Sequence, residues 1–341
     1  MKTDIIVIGA GPVGLFTVFE AGILGLNCVL IDNLDKPGGQ CAELYPEKPI
    51  YDIPGVPYQT GQEHVNALLK QIEPFDYKLL LGQRVNEINK DGDDWVVKTN
   101  NNNLVTAPNI FIAAGAGSFE PIKPNLPTDI SSYEDKKIFY SIKEKDIFRN
   151  KSVAIFGGGD SALDWSIELS KIGSNVSLIH RREAFRGAPD TEKKVRKLAE
   201  KNLLELHTPY IINDLKVLDD KCNVELINVE SKGLTKFEYD YVIFFYGLNK
   251  KLGPLLEWGL ENNGKKITVN TETFETNKDG IFAVGDINDY PGKLNLILSG
   301  FHETTLAVQK AFKRINPDER VPFGYTTSST KIHERLGLKP D

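Results

Sequence analysis

The chain has 341 residues and a net charge of −6, with 40% hydrophobic and 26% charged residues. This composition is typical of soluble globular proteins of about two domains, and the negative charge argues against a protein that binds nucleic acid. The longest apolar runs, such as VIFFYGL at 242–248, are far too short to span a membrane.

The first predicted element is a buried parallel strand over residues 4–8, followed by the turn GAGPVG at 9–14 and a helix. Gly9 permits the tight turn, Gly11 lets the backbone approach a pyrophosphate, and Gly14 allows close helix–strand packing, with Pro12 at the helix start. This arrangement makes the apolar start a strand and not a secretory signal. We therefore expect a cytoplasmic protein.

A second strand, CVLID, ends at Asp32. Its distance from the first turn is close to the separation of about 20 residues at which an acid binds a ribose hydroxyl. Further along, the stretch EINKDGDDWVVKTNNNNLVTAPNIFIAAG at 87–115 predicts antiparallel hairpin strands around polar turns. We expect these strands to form a small layer attached to the first sheet.

A second glycine turn repeats the plan of the first. The strand over residues 153–156 leads into GGGDSA at 157–162, and a helix continues to Ile172. The positions of this turn that we expect to bind a dinucleotide are Gly157, Gly159, Asp160, Ser161 and Ala162.

The residue that matches Asp32 in the second unit is His180, followed by Arg181 and Arg182, with Arg186 close behind. A carboxylate at this place would repel a 2′-phosphate, whereas guanidinium groups bind one bidentately. The second turn is therefore predicted to bind NADP. FAD is the natural occupant of the first turn, because its adenosine ribose carries a free 2′-hydroxyl for Asp32.

Two further stretches, GIFAVGDIND at 280–289 and IFIAAGAG at 110–117, complete a resemblance to flavoprotein reductases of the thioredoxin reductase type. The resemblance implies an α/β fold with two Rossmann-like dinucleotide-binding domains, each a three-layer ββα sandwich. It implies an FAD domain at 1–116 and 281–341 and an inserted NADP domain at 117–280. By the same resemblance, Asp286 contacts the ribityl chain of the flavin.

The cysteines narrow the resemblance further. No CxxC precedes the second turn, and the position that would pair with Cys41 in a CxxxxC motif is Pro46. Cys41 is therefore interpreted as a packing residue, and the flavin must reduce an external acceptor. Cys28, Cys41 and Cys222 are too widely spaced for a zinc site or a disulfide framework, so no metal is expected.

On these grounds the chain resembles the bacterial thioredoxin-reductase-like ferredoxin (or flavodoxin)–NADP reductases. The stretches that carry the resemblance are PGGQCAELYPEKPIYDIPG at 37–55, GGGDSALDW, IHRREAFR and GKLNLILSGFHE at 292–303. The resemblance implies electron transfer from NADPH through FAD to ferredoxin or flavodoxin, in one-electron steps. It also implies a homodimer.

The same resemblance assigns further flavin contacts. Gly39 and Gln40 would bind FAD, Tyr45 and Tyr325 would stack on opposite faces of the isoalloxazine, and Thr326 would lie beside N5. Tyr325 and Thr326 belong to an extension over residues 316–341, which is expected to cover the flavin and to move when nicotinamide stacks.

Two alternatives remain at this stage. A flavin-dependent monooxygenase also pairs two glycine turns, although no FxGxxxHxxxWP-like stretch lies between them here. A non-catalytic redox sensor would bind the flavin and pass its electrons nowhere.

Overall fold

The computed structural model describes residues 1–321 and 325–338, with the backbone alone at 118–120 and 248–251. Residues 322–324 and 339–341 of the predicted extension lie outside the described residues. The chain divides into two compact units, Met1–Phe119 with Lys250–Asp341, and Glu120–Asn249.

The described helices are α1 (Pro12–Leu24), α2 (Gly39–Glu43), α3 (Gly61–Ile72), α4 (Asp160–Lys171), α5 (Pro189–Glu200), α6 (Ile297–Ile315) and α7 (Thr330–Arg335). Short 3₁₀ helices lie at Ser131–Tyr133, Lys145–Phe148, Gly253–Glu257 and Gly285–Ile287.

The strands as far as the second glycine turn are β1 (Ile5–Ile8), β2 (Cys28–Ile31), β3 (Pro49–Ile50), β4 (Gln59–Thr60), β5 (Tyr77–Leu80), β6 (Val85–Asp91), β7 (Asp94–Thr99), β8 (Leu104–Ala107), β9 (Asn109–Ile112), β10 (Ser118–Pro121), β11 (Ile138–Phe139) and β12 (Ser152–Gly157). Those that follow are β13 (Asn175–Ile179), β14 (Glu205–His207), β15 (Tyr210–Leu218), β16 (Lys221–Asn228), β17 (Leu234–Tyr239), β18 (Tyr241–Phe245), β19 (Leu248–Lys251), β20 (Ile267–Thr268), β21 (Ile281–Ala283) and β22 (Asn288–Asp289).

A parallel five-stranded sheet, in the order β21-β9-β1-β2-β5, forms the centre of the first unit. β1 and β9 read IIVI and NIFI, and such continuous apolar runs suit strands that are covered on both faces. The antiparallel strands β6-β7-β8 supply Trp95, Val97 and Val105 to the same core. They form the small layer that the Asn-rich stretch predicts.

The second unit repeats this plan with a parallel sheet in the order β11-β18-β12-β13-β14. Side chains of β12 alternate between its two faces. Ile155 packs in the cluster with α4 and α5, whereas Phe156 packs in the cluster with the antiparallel sheet β15-β16-β17. In both units the strand before the glycine turn is therefore at the centre of a five-stranded parallel sheet, and a three-stranded antiparallel layer accompanies that sheet. The sheets differ at one edge, where the first has β21, its last strand in the chain, and the second has β11, its first.

The chain returns to the first unit at Lys250, earlier than the NADP domain predicted over residues 117–280 would end. Leu252, Leu255 and Trp258 are buried in the core of the first unit. The indole Nε1 of Trp258 also donates a hydrogen bond of 3.1 Å to the Asn86 carbonyl oxygen in β6. These apolar contacts place residues 250–280 in the first unit, ahead of the strand that carries the GD motif.

Candidate dinucleotide-binding sites

The first glycine turn joins β1 to α1 at the carboxyl edge of the first sheet. A Cβ at Gly9 would lie 2.4 Å from the Ala113 carbonyl oxygen, and one at Gly14 would lie 1.8 Å from the Gly9 carbonyl oxygen. Side chains are therefore excluded at both positions. α1 begins at Pro12 without a side-chain cap, so its first amides can bind an anion.

A second glycine faces this turn from the start of α2. Gly39 has a φ of 52°, and a Cβ there would lie 2.9 Å from the Cα of Gly11. The side-chain amide of Gln40 lies 3.4 Å from the place of a Cβ at Gly115, in the turn after β9. The two backbones thus bound a cradle without side chains, at a helix N-terminus, which fits the diphosphate of a dinucleotide.

Asp32 lies at the end of β2, beside the cradle. Its carboxylate accepts hydrogen bonds from the backbone amides of Ala10, at 2.5 Å, and Leu34, at 2.8 Å. Burial raises the pKa of Asp32 above its ordinary value, and these hydrogen bonds partly offset that rise. The carboxylate is thereby fixed in position beside the glycine turn, where the ribose of a bound dinucleotide is expected.

Tyr45 and Cys41 lie close enough to Asp286 for its charge to act on both. The Cys41 thiol donates to the Tyr45 hydroxyl over 3.4 Å, and burial raises the pKa of Cys41 to about 11. Burial also raises the pKa of Tyr45, and the charge of Asp286 adds to both rises. Cys41 is thus a protonated packing residue that holds the Tyr45 hydroxyl, which supports its interpretation from the sequence.

The GD turn lies against α1 and is tied to α6. Gly285 has a φ of 79°, and a Cβ there would lie 3.2 Å from the Val13 side chain. The Glu303 carboxylate of α6 accepts a hydrogen bond of 2.7 Å from the Gly285 amide and forms an ion pair with Lys293. In the sequence, Lys293 and Glu303 stand out only as members of the stretch GKLNLILSGFHE. The sequence feature that could have revealed this pair is a glutamate on the apolar face of α6.

The described part of the C-terminal extension docks at the opposite end of α1. The Arg335 guanidinium donates to the Ile23 carbonyl oxygen, and it fills the space beside Gly25. α1 has 13 residues, which is about 20 Å of helix. Thr326 stays close to α7 because its carbonyl oxygen lies 2.6 Å from His333 Nε2, and Tyr325 is 70% exposed. Arg335 thus anchors the extension at the C-terminal end of α1, and Thr326 is held next to α7.

The second glycine turn joins β12 to α4. A Cβ at Gly157 would lie 2.7 Å from the Phe245 carbonyl oxygen and 2.8 Å from the Cβ of Ala162, whereas Gly159 has open space around it. Asp160 and Ser161, both exposed, begin α4. The Asp160 carboxylate accepts a hydrogen bond of 2.8 Å from the Ala188 amide. The turn thus leaves an open approach to the N-terminus of α4 at Gly159, where an anion can bind.

His180 lies beneath this turn. A Cβ at Gly158 would lie 2.2 Å from the imidazole Cε1, and the ring stacks on Phe185 with centroids 5.1 Å apart. Only 8% of His180 is exposed, and burial lowers the pKa of the imidazole. Among the described residues, its Nε2 has no hydrogen-bond partner. The ring therefore fills the space between the glycine turn and the basic loop, so its placement favours packing.

Arg181, Arg182 and Arg186 are exposed, and within the described ranges none of them forms an ion pair. Their loop is held in place by its backbone and by Phe185. The Arg186 amide donates a hydrogen bond of 2.7 Å to the Gly158 carbonyl oxygen. The Phe185 ring also lies 5.5 Å from the guanidinium of Arg196 on α5, opposite His180. The loop therefore presents cations beside a phosphate cradle, as NADP requires.

Tyr246 is another residue of the second site that sequence reasoning missed. It directly follows β18, whose last residue, Phe245, lies opposite Gly157 in the sheet register. Burial raises the pKa of Tyr246, and the nearby positive charge of Arg181 partly offsets this rise. The sequence feature that could have revealed Tyr246 is an aromatic residue directly after a buried strand.

Among residues 1–321 and 325–338, no group of three or more histidine, cysteine or acidic side chains is arranged to hold a metal ion. No described helix combines the length and apolar character needed to cross a membrane.

Comparisons with known proteins show the family of the chain. Residues 3–311 match the pyridine nucleotide-disulphide oxidoreductase family. A ferredoxin–NADP reductase of Pelagibacter ubique is 53% identical over 339 residues, which is 99% of each chain. A ferredoxin–NADP reductase of Parvibaculum lavamentivorans is 47% identical over 341 residues, covering 99% of this chain and 98% of the relative.

Solved structures share the fold. A thioredoxin reductase of Lactococcus lactis superimposes with a TM-score of 0.77 at 23% identity, covering 93% of this chain and all of that one. A thioredoxin reductase of T. acidophilum gives 0.76 at 20% identity, covering 92% and 99%. The predicted α/β fold class, with two Rossmann-like domains of the thioredoxin reductase type, is confirmed.

Proposed function

The chain belongs to the pyridine nucleotide-disulphide oxidoreductase family, and on that premise we propose that it acts as a ferredoxin–NADP reductase. Relatives with that name match it from end to end, at 53% and 47% identity. The observation that carries the proposal is the contrast between its two glycine turns. One ends beside a fixed carboxylate, and the other lies beside three exposed arginines.

FAD belongs to the first unit and NADP to the second in this proposal. The groove between Gly11 and Gly39 holds the FAD diphosphate, Asp32 binds its ribose, and Asp286 contacts its ribityl chain. Tyr45 stacks on the flavin, with its hydroxyl held by Cys41. In the second unit the α4 N-terminus at Gly159 holds the NADP diphosphate. The arginines assigned to its 2′-phosphate are Arg181, Arg182 and Arg186.

The protein's part in the chemistry is to bind, orient and shield. FAD, when bound, accepts a hydride from NADPH and releases the electrons singly. The chain supplies no dithiol relay, because Cys28, Cys41 and Cys222 are each free and buried. The electrons therefore leave for an external acceptor, for which ferredoxin or flavodoxin is proposed. Three unpaired thiols also suit a reducing compartment, and we assign the protein to the cytoplasm.

The C-terminal extension acts, in our proposal, on the flavin of a second copy in a homodimer. Arg335 anchors α7 at the end of α1 remote from the first glycine turn, while Tyr325 presents an exposed ring. Tyr325 and Thr326 would then cover the partner's flavin. Deleting residues 325–341 should change the rate of flavin reduction by NADPH. An unchanged rate would contradict the proposal that the extension covers the flavin.

Ferredoxin-dependent reduction of cytochrome c by NADPH, under anaerobic conditions, tests the proposed activity. We expect turnover that needs both the protein and ferredoxin, or flavodoxin in its place. Flavin bleaching without transfer to either acceptor would contradict the activity and favour a redox sensor. Oxygen consumption with a hydroxylated product would instead favour a monooxygenase.

A further inference from the structure

A buried ion pair joins the GD turn of the first unit to α6. The side chains of Lys293 and Glu303 are 3% and 0% exposed, respectively. Burying two charges is costly, and a pair of apolar residues would often serve stability as well or better. Stability alone therefore does not account for this pair at the edge of the first site.

The Glu303 carboxylate accepts hydrogen bonds from four donors. Oε2 accepts from the Gly285 amide at 2.7 Å and from Asn288 Nδ2 at 2.8 Å. Oε1 accepts from the Tyr290 hydroxyl at 2.9 Å and from Lys293 Nζ. All four donors lie in one segment, residues 285–293, which is the loop that carries Asp286. A single carboxylate thus fixes both ends of that loop.

The same loop is held against α1. A Cβ at Gly285 would lie 3.2 Å from the Val13 side chain, and one at Gly300 of α6 would lie 2.4 Å from it. The side chain of Val13, the second residue of α1, therefore packs against both the GD turn and α6. Any movement of the loop would shift Asp286 relative to the N-terminus of α1.

We propose that Lys293 and Glu303 form a positioning pair, which holds Asp286 in place relative to the α1 N-terminus and balances the charge buried at this edge of the first site. This inference rests on the proposed function only in taking FAD as the ligand of the first site. Glu303 supplies the acceptor for the Gly285 amide, and Lys293 neutralises the carboxylate. Neither residue touches the reacting atoms.

Because the pair balances charge, replacing either residue should shift the midpoint potential of the flavin. Replacing Lys293 leaves an unpaired carboxylate near the flavin, which opposes the addition of electrons and lowers the midpoint potential. Replacing Glu303 with glutamine leaves an unpaired ammonium, which raises the potential. Weak screening in the protein interior makes such effects long-ranged. A purely structural defect has no reason to shift the potential in opposite directions.

The experiment compares Lys293→Met, Glu303→Gln and the double variant with the wild type. Titration of each apoprotein with FAD gives the affinity, and spectroelectrochemistry of the FAD-loaded protein gives the potential. Each single variant should bind FAD about tenfold more weakly, because it leaves one buried charge uncompensated. The two potentials should shift in opposite directions. The double variant should return the potential close to that of the wild type and recover part of the affinity.

Lys310→Met, an exposed substitution on the same helix, is the matched control and should change neither quantity. Tyr290→Phe removes a single donor to Glu303 and should weaken FAD binding less than either charge variant. This variant provides a second test if one of the charge variants fails to fold. Shifts of the same sign, or unchanged affinity and potential, would overturn the inference. Failure of the wild type to bind FAD would instead overturn the proposed function itself.

Discussion

The two glycine turns have the same backbone plan, but different side chains lie beside them. Each follows the central strand of a five-stranded parallel sheet, and each leads into a helix. In the first unit, the residue at the end of the next strand is Asp32, whose carboxylate is fixed by two backbone amides. In the second unit, the matching residue is His180, a buried ring stacked on Phe185.

This difference shows that a matched position need not keep a matched role. In the first unit the residue itself is polar and lies beside the cradle, where it can bind a ribose. In the second unit the residue fills space, and the cations follow it on an exposed loop held by Phe185 and by the Arg186 amide. In the proposed function, ligand choice therefore depends on one side chain in the first unit and on a whole loop in the second.

The largest effect is expected from removing the cations of the second site. Replacing Arg181 and Arg182 with alanine should lower kcat/KM for NADPH about 100-fold, because two charge-assisted contacts to the 2′-phosphate are lost. The value for NADH should stay within about twofold, because NADH lacks that phosphate. Steady-state kinetics with both nucleotides measure the ratio. Lys194→Ala, an exposed cation on α5, is the control, and an equal loss for NADH would contradict the assignment.

The next effect concerns the first site. Asp32→Ala should weaken FAD binding about 30-fold, since it removes the ribose acceptor and leaves the Ala10 and Leu34 amides without their partner. Titration of the apoprotein with FAD, followed by fluorescence, gives the dissociation constant. Asp35→Ala changes an exposed acid in the following loop and should leave it unaltered. Equal FAD affinities for the two variants would contradict the assignment of Asp32 to the ribose.

A smaller effect should follow from loosening the basic loop without touching its charges. Phe185 stacks on His180 and lies beside the Arg196 guanidinium, so Phe185→Ala removes the packing on both sides. We expect KM for NADPH to rise about tenfold, while kcat stays near its wild-type value. Phe185→Leu retains apolar volume and should recover most of the affinity. A fall in kcat with unchanged KM would argue against a role in holding the loop.

The smallest effects concern stability, and they should have opposite pH dependence in the two units. Burial raises the pKa of Glu20 on α1 from 4.5 to about 7, so the stability it contributes is present below about 4.5 and is lost as pH rises through 7. The pKa of Asp240 falls from 3.8 to about 2. Burial raises it, but hydrogen bonds from Lys221 and Ser152 outweigh that effect. Its contribution is present above pH 3.8 and is lost as pH falls towards 2.

Glu20→Gln should therefore raise Tm at pH 8 by about 3 °C and change it little at pH 4. Asp240→Asn should lower Tm at neutral pH and have less effect near pH 2. Thermal melts across this range, followed by circular dichroism, give both profiles. Parallel pH profiles for the two variants would be inconsistent with the opposite shifts of their pKa values.

Local patterns made the fold and most of the cradle residues predictable. Strand, glycine turn and helix are adjacent in the sequence, so Gly9, Gly14 and Gly157 could be assigned from short stretches. Contacts between distant residues could not be read in this way. The contact between Arg335 and Ile23 joins opposite ends of the chain, and no local pattern predicts it.

Residues 250–280 illustrate the same limit. Leu252 and Trp258 mark an apolar segment, but the sequence does not show which of two similar sheets it covers. The packing role of His180 was not predictable from the sequence either. Its place after the strand matched that of Asp32, whereas its burial depends on the packing of Gly158 and Phe185 around the ring.

Anaerobic reduction of the bound flavin tests the central claim most directly, because it needs both turns and no acceptor protein. The purified protein should carry FAD, and its visible absorption should bleach far faster with NADPH than with NADH at equal concentrations. That result would support an acid-marked flavin site and a cation-marked NADP site on one chain. Equal bleaching by the two nucleotides, or a purified protein that binds no FAD, would contradict this division of roles.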